Sequence, residues 1–385
     1  MNPTLPARLR VALVCIGVGR FQRGFERYFS DLARAMQADV GLTLFVGQAD
    51  PAQPWQQAPP GLGWLTRLAH RLPVGRVSTE YREYKQDCLA YTLALLPLLR
   101  RGGFDVLHTI DPPLAKLVER LAPLAGLRAR LVFTNGTAWP VAICPRRAHI
   151  QHVQQDSYAR ALADGDNPAR HTLVPCGVSP QRFAVAEPRG ALRQRHGIAE
   201  STFVVLVVAA IKRVHKRVDH VVDEVAALPG DVLLWIDGRP EDADLVAQAQ
   251  ARLGARCRIS HWPSEQVGEL YALCDVLVHA ALEESFGLAL VEAMVSARPV
   301  LMHASPHFAW LAGEPPGPAQ PLLDMTQPGA LTQRLAALRA GADAANTPAA
   351  VAERAARACQ RFDWAHLHSS YLALYQRLAT ADGRP

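Results

Sequence analysis

Apolar positions recur along this chain in two alternating rhythms. Short unbroken apolar runs, the mark of strands buried on both faces, are followed by segments in which apolar residues return every three or four positions, the mark of amphipathic helices. The first half reads as strand 10–16, a loop Gly17-Val18-Gly19-Arg20, helix 25–36 and strand 40–46, with later strands at 104–108 and 130–133. Both later strands run into polar loops, Thr109-Ile110-Asp111-Pro112-Pro113 and Thr134-Asn135-Gly136-Thr137. Such alternation predicts a parallel sheet whose loops gather at the strand carboxyl ends, where ligands bind.

Residues 49–63 are rich in Pro, Gln and Ala, lack periodicity and read as an excursion. Beyond it Leu62, Trp64, Leu65, Leu68 and Leu72 recur at helical spacing, with Arg67, His70 and Arg71 assigned to the opposite face. Two readings are open: a helix lying on a membrane, or a helix packed on the domain's own core, the commoner use of this pattern. Around 164–180 the character changes. A turn cluster, Asp164-Gly165-Asp166-Asn167-Pro168, precedes strand 171–175 and the loop Cys176-Gly177-Val178-Ser179-Pro180. A second series then follows, with strands 203–211, 232–237, 256–260, 276–279 and 299–303, helices 218–227, 243–253 and 265–272, and a further helix within 283–300. The tail 349–378 is helical, broken at Phe362-Asp363-Trp364, with Trp364, Tyr371, Leu374, Tyr375 and Leu378 as its buried face. The expected architecture is α/β: two doubly wound parallel-sheet, Rossmann-like domains facing a cleft. They cover 1–178 and 179–360, and 361–385 form a helix crossing back to the first domain.

Composition narrows the class. With 49% hydrophobic and 20% charged residues, the 385-residue chain has ample material for globular cores. Its longest apolar stretch, 88–99, contains Pro97 and is too short to span a bilayer. The apolar run 11–18 is too short for a signal h-region and fits a buried strand. Seven isolated cysteines without a C-x-x-C spacing favour reduced thiols in the cytoplasm and argue against a cysteine-held metal. The net charge of +6 is unevenly spread: residues 1–185 hold 22 basic and 13 acidic side chains (+9), the remainder 19 and 22 (−3). The basic half suits either an anionic partner, such as a membrane surface or a phosphorylated acceptor, or simple solubility. Nucleic acid is not expected, because the basic residues are not interleaved with aromatics.

The stretch 283–300, EESFGLALVEAMVSARPV, carries the most chemistry. Glu284 lies in a loop ahead of a helix and Glu292 one to two turns inside it. Ser285 is the expected N-cap, and Gly287 lets a ligand approach the backbone. The helix start offers free N–H groups and a positive dipole to phosphate. Lys212, Arg213, His215, Lys216 and Arg217 crowd the loop after strand 203–211, a setting for a diphosphate. Gly17-x-Gly19 with Gly24 falls short of a dinucleotide fingerprint, since the third glycine comes two positions late and no acidic residue ends strand 40–46. Asp164 and Asp166 fit turn roles better than metal binding, and His149 with His152 lack an obvious third ligand.

These motifs add up to a resemblance. Glu284-x-Phe286-Gly287-x4-Glu292-Ala293-Met294, followed by Arg298-Pro299-Val300, resembles the E-x7-E signature of retaining GT-B glycosyltransferases of family 4. Val174-Pro175-Cys176-Gly177-Val178 with Phe183 is similar to that family's domain junction, Lys216-Arg217-Val218-Asp219 to its KGVD phosphate loop, and 362–375 to its closing helix. The resemblance implies the GT-B fold, a nucleotide-sugar donor held by the second domain, a glycan, lipid-linked or small-molecule acceptor held mostly by the first, and no metal or other cofactor. Lys216 would neutralise the leaving diphosphate. Backbone N–H groups of Phe286, Gly287 and Leu288 would hold sugar hydroxyls and phosphate, Glu284 the transferred sugar and Glu292 the ribose. Gly17 and Gly19 would border the donor phosphates. Two departures stand out. The arginine expected five or six residues before Lys216 is replaced by Ile211 or Ala210, leaving Lys212 or Arg213 to substitute. The family's T-H pair in the first domain is Thr134-Asn135, so Asn135 and His108 become the acceptor-side candidates. A sugar-nucleotide epimerase of the same fold, or a catalytically silent scaffold in polysaccharide assembly, are the alternative functions.

Overall fold

The computed structural model describes residues 8–380, apart from 22, 74, 76, 138, 264 and 314–319. The first seven residues and the last five of the expected closing segment lie outside the described residues. The chain forms two compact units, Met1–Gly177 with Trp364–Pro385, and Val178–Asp363.

The first unit is built on a seven-stranded parallel sheet. Its strands are β1 (Arg10–Cys15), β2 (Gly41–Val46), β3 (Gln56–Gln57), β4 (Val106–Thr109), β5 (Arg130–Asn135), β6 (His149–His152) and β7 (His171–Leu173), in the order β3-β2-β1-β4-β5-β6-β7. Five consecutive residues of β1, Val11 to Cys15, are buried, as an apolar strand covered on both faces requires. Helix Thr79–Gly102 starts at Ser78, whose hydroxyl accepts from the Tyr81 amide. It packs Cys88, Tyr91, Leu95 and Leu99 against Ala12, Val14, Phe45 and Phe104. The last helix, Trp364–Thr380, lies on this unit and buries Trp364, Tyr371, Leu374 and Tyr375. Gly177 belongs where a Cβ would strike the Trp364 ring.

The second unit holds a six-stranded parallel sheet. Its strands are β8 (Phe203–Val208), β9 (Val232–Asp237), β10 (Cys257–Ser260), β11 (Val276–His279), β12 (Val300–His303) and β13 (Leu322–Leu323), in the order β10-β9-β8-β11-β12-β13. Val205, Val207, Leu234, Ile236, Val276 and Val278 meet Val218, Val221, Val225 and Leu245 from the flanking helices in one core. Both sheets therefore send their loops out at the carboxyl edge, and the fold is α/β with two Rossmann-like halves. Three short strands are absent from the apolar pattern: β3, β6 and β13. Strand β8 also ends at Val208, three residues before the expected end, because the chain turns away at Ala209 and rejoins an edge only through the Ile211–Pro240 bridge.

Candidate active site

The site-bearing stretch of the second unit begins where β11 ends. His279 closes that strand, and the following loop brings Glu284 back beneath it. Glu284 Oε2 is paired with the Lys216 ammonium and lies 3.0 Å from His279 Nε2, while Oε1 accepts from the Ser285 amide at 2.9 Å. Burial alone would raise the Glu284 carboxyl. Contact with His279 and the charge of Lys216 outweigh it and hold the carboxyl well below its usual range. Glu284 is therefore an anion at any physiological pH.

Helix Leu288–Val295 starts two residues later than an N-cap at Ser285 would place it. Its N-cap is Gly287, at φ +94°, a conformation that an L side chain rarely adopts. Gly287 also sits against Leu290 and Leu311. Leu290 and Val291 donate back to the Gly287 carbonyl, and the amides of Leu288 and Ala289 open the helix with no acceptor among the described residues. Those two donors, with the helix dipole behind them, face the side where an anion is stabilised. Phe286 supplies anchoring: its ring is buried edge-on to Phe362 at 5.7 Å, and its carbonyl accepts from His307 Nε2 at 3.0 Å. Glu292 is 1% exposed, with Oε2 accepting from the Tyr271 hydroxyl at 2.6 Å.

Lys216 is presented by a tight loop. His215 and Arg217 on either side of it both have positive φ, +69° and +50°. Arg217 takes the place of the glycine in the family's KGVD loop, and its guanidinium donates to the carbonyls of Met325 (2.8 Å) and Ala280 (3.5 Å). The two remaining cations of the loop go elsewhere. Lys212 pairs with Glu241 at 2.8 Å, and Arg213 with Asp244 at 2.8 Å and Asp242 at 3.6 Å. The structure thus gathers Lys216 with Glu284 and leaves Lys212 and Arg213 among the acids that follow β9.

In the first unit the candidates occupy different surroundings. Gly17 lies beneath the Glu26 carboxylate, and Gly19, at φ +80°, lies against the Gln48 carbonyl, so the protein's own groups fill the close approach that both glycines permit. Both ends of the Asn135 amide bond the Trp139 backbone at 2.9 Å and close the loop 135–139. His108 is fully buried. Its Nδ1 meets the Tyr375 hydroxyl at 2.7 Å and its Nε2 meets Thr134 Oγ1 at 2.7 Å, and burial pushes its pKa down to about 3. It is a neutral core residue rather than a surface contact. Asp166 is likewise engaged, with Arg170 at 2.9 Å and His171 at 3.1 Å. Among the described residues no group of three or more His, Cys, Asp or Glu side chains is placed to hold a metal ion.

Sequence reasoning missed His279 and Tyr271. The signal for His279 was available: a lone imidazole ending an apolar strand at the carboxyl edge of a parallel sheet. Tyr271 gave none, since its helical spacing matches its core neighbours.

This fold, two Rossmann-like halves, is that of solved GT-B glycosyltransferases. Sucrose-phosphate synthase from Thermosynechococcus elongatus aligns with a TM-score of 0.78 at 18% identity, over 97% of this chain and 100% of that one. Anabaena HepE in complex with UDP and glucose aligns at 0.74 and 16%, over 96% and 99%. More specifically, residues 188–314, which include Lys216, His279, Glu284 and Glu292, match the profile of the family described as glycosyl transferases group 1. The lipopolysaccharide glucosyltransferase WaaG of Escherichia coli K12 is 31% identical over 145 residues, 36% of this chain. That match spans 38% of the relative's length.

Proposed function

We propose that the protein is a retaining, metal-independent glycosyltransferase of group 1 that moves a sugar from a nucleotide-sugar donor to a glycan, lipid-linked or small-molecule acceptor. The observation that carries this reading is the convergence of Lys216 and His279 on an ionised Glu284 at the head of helix Leu288–Val295, inside the segment that matches the family.

Breaking the anomeric bond builds negative charge on the diphosphate and positive charge on the sugar. Lys216 and the amides of Leu288 and Ala289 are fixed in advance to meet the first, and Glu284 the second. The leaving oxygen takes the acceptor's proton as the acceptor attacks from the same face, so no base on the protein is required. Glu292 is assigned to the ribose, its carboxylate oriented by Tyr271, and Lys212 and Arg213 are relegated to holding the loop. Seven unpaired cysteines suit the cytoplasm as the place of work.

HepE is solved with UDP-glucose, so that donor heads the test. Wild-type protein is incubated with UDP-, GDP-, ADP- and dTDP-sugars, and thermal stabilisation is read beside nucleoside diphosphate release. One nucleotide is expected to raise the melting temperature and to be released. An isomeric sugar nucleotide without release would indicate an epimerase, and binding without turnover across an acceptor panel a silent scaffold. No stabilisation by any donor would overturn the reading.

A further inference from the structure

Helix Leu62–Ala69 decides between the two readings that its sequence leaves open. Leu62 and Ala69 turn inward, and Leu62 packs on the core shared with helix Thr79–Gly102. The other side faces water. Trp64 is 56% and Leu68 50% exposed, and Leu72, in the turn that follows, is 47% exposed. Arg67 and Arg71 are exposed as well. At 100° per residue, Trp64, Arg67 and Leu68 share about 100° of the helix circumference. Arg67 therefore flanks the apolar side chains instead of opposing them. No Asp or Glu occurs from residue 51 to residue 79 to balance this charge.

We propose that this face, Trp64, Leu68 and Leu72 with Arg67 and Arg71, docks the protein on an anionic lipid surface. Tryptophan is at home at the boundary between headgroups and acyl chains, where its ring is buried and its N–H stays wet. Arginine lays its stem along apolar surface and keeps its guanidinium among phosphates. Each basic side chain near an anionic bilayer strengthens binding about fivefold, so two arginines need the apolar insertion to hold the protein. A second copy of the chain is the poorer occupant, because a two-fold contact would set Arg67 and Arg71 against themselves, and the acid beside this helix, Asp87, is already engaged by His70 at 2.9 Å and Arg20 at 3.6 Å. The surplus of +9 over residues 1–185 adds a longer-range attraction to the same partner. None of this depends on the transfer reaction.

The test is co-sedimentation of the full chain with phosphatidylcholine vesicles, with and without phosphatidylglycerol, at low and high salt. Wild-type protein is expected to bind the phosphatidylglycerol vesicles and to release them at high salt. Trp64→Ser with Leu68→Ser should weaken binding at least about tenfold, and Arg67→Gln with Arg71→Gln should weaken it and flatten the salt dependence. Leu124→Ser, at an apolar side chain 85% exposed elsewhere in the same unit, should change nothing. Should the serine pair misfold on melting analysis, the glutamine pair still decides. Wild-type indifference to phosphatidylglycerol, or unaltered binding by both paired variants, overturns the proposal. So does a concentration-dependent dimer that the serine pair abolishes without any vesicle binding, which would assign the face to a second copy.

Discussion

The two halves of this protein bury polar side chains to different ends. In Met1–Gly177 with Trp364–Pro385, the hydroxyls of Tyr28, Thr134, Tyr371 and Tyr375 join Gln151 and His108 in a closed web, each group met by another inside it. A second chain runs from Ser157 through His152 and His171 to Asp166, with steps of 2.7, 2.8 and 3.1 Å. It has the order of a catalytic relay, but its serine is buried and its work is to join β6, β7 and the helix between them. Val178–Asp363 also has a closed buried web, Asp343, Asn346 and Arg354, but a second polar cluster there is differently placed. Lys216, His279 and Glu284 stand at the head of a short helix, and the Lys216 side chain keeps 22% of its surface. A polar residue at a strand end is thus not a site by virtue of its chemistry. The candidate site is set apart because its charge is held at the opening of a helix and still meets solvent.

Three perturbations break or sharpen this contrast. The largest falls on Lys216, whose removal is expected to cost turnover far more than folding, because His279 remains beside Glu284. Next comes acid. Burial pushes His108 down to about 3, His149 to about 4 and His152 to about 3, whereas an unfolded histidine titrates near 6.5. The unfolded state therefore takes up protons first. The stability these residues allow is complete above about pH 6.5 and is lost progressively as pH falls toward their folded values. Glu284, held low, begins to give up its share only as pH falls through the ordinary carboxylate range. Hydrogen exchange between pH 6.5 and 5 should accordingly loosen β4, β6 and β7 before β8 and β11, and uniform loosening would contradict the assignment. The smallest effect is expected from Tyr375→Phe. It strips the partner from His108 Nδ1 and should lower stability by about 1–3 kcal/mol in urea titration, with turnover per folded molecule unchanged.

Much of this was legible in the sequence where burial and apolarity coincide. Strands β9 and β11 and helix Ala243–Leu253 appear with the expected bounds, since runs such as Val-Leu-Leu-Trp-Ile-Asp admit little else. Strand β6 was hidden because only Ile150 of His149-Ile150-Gln151-His152 joins an apolar core, while the other three side chains are buried through hydrogen bonds. The same disguise made His108 and Asn135 look like ligand contacts. Lys216 and Glu284 could be paired from their motifs. That Lys212 and Arg213 turn away was legible in Glu241, Asp242 and Asp244, three acids in the loop and helix start after β9 that lie beside the loop after β8 and pair with these two cations. The exposed face of helix Leu62–Ala69 was not legible, because periodicity reports that a helix has two faces and not which of them is covered.

The most direct measurement of the central claim is the turnover number of Lys216→Ala at saturating donor, taken beside its melting curve. If Lys216 stabilises the departing diphosphate, turnover falls by about 10²–10³ while the protein still melts as a folded chain. Turnover within threefold of wild type, roughly 0.7 kcal/mol of barrier, would contradict the account.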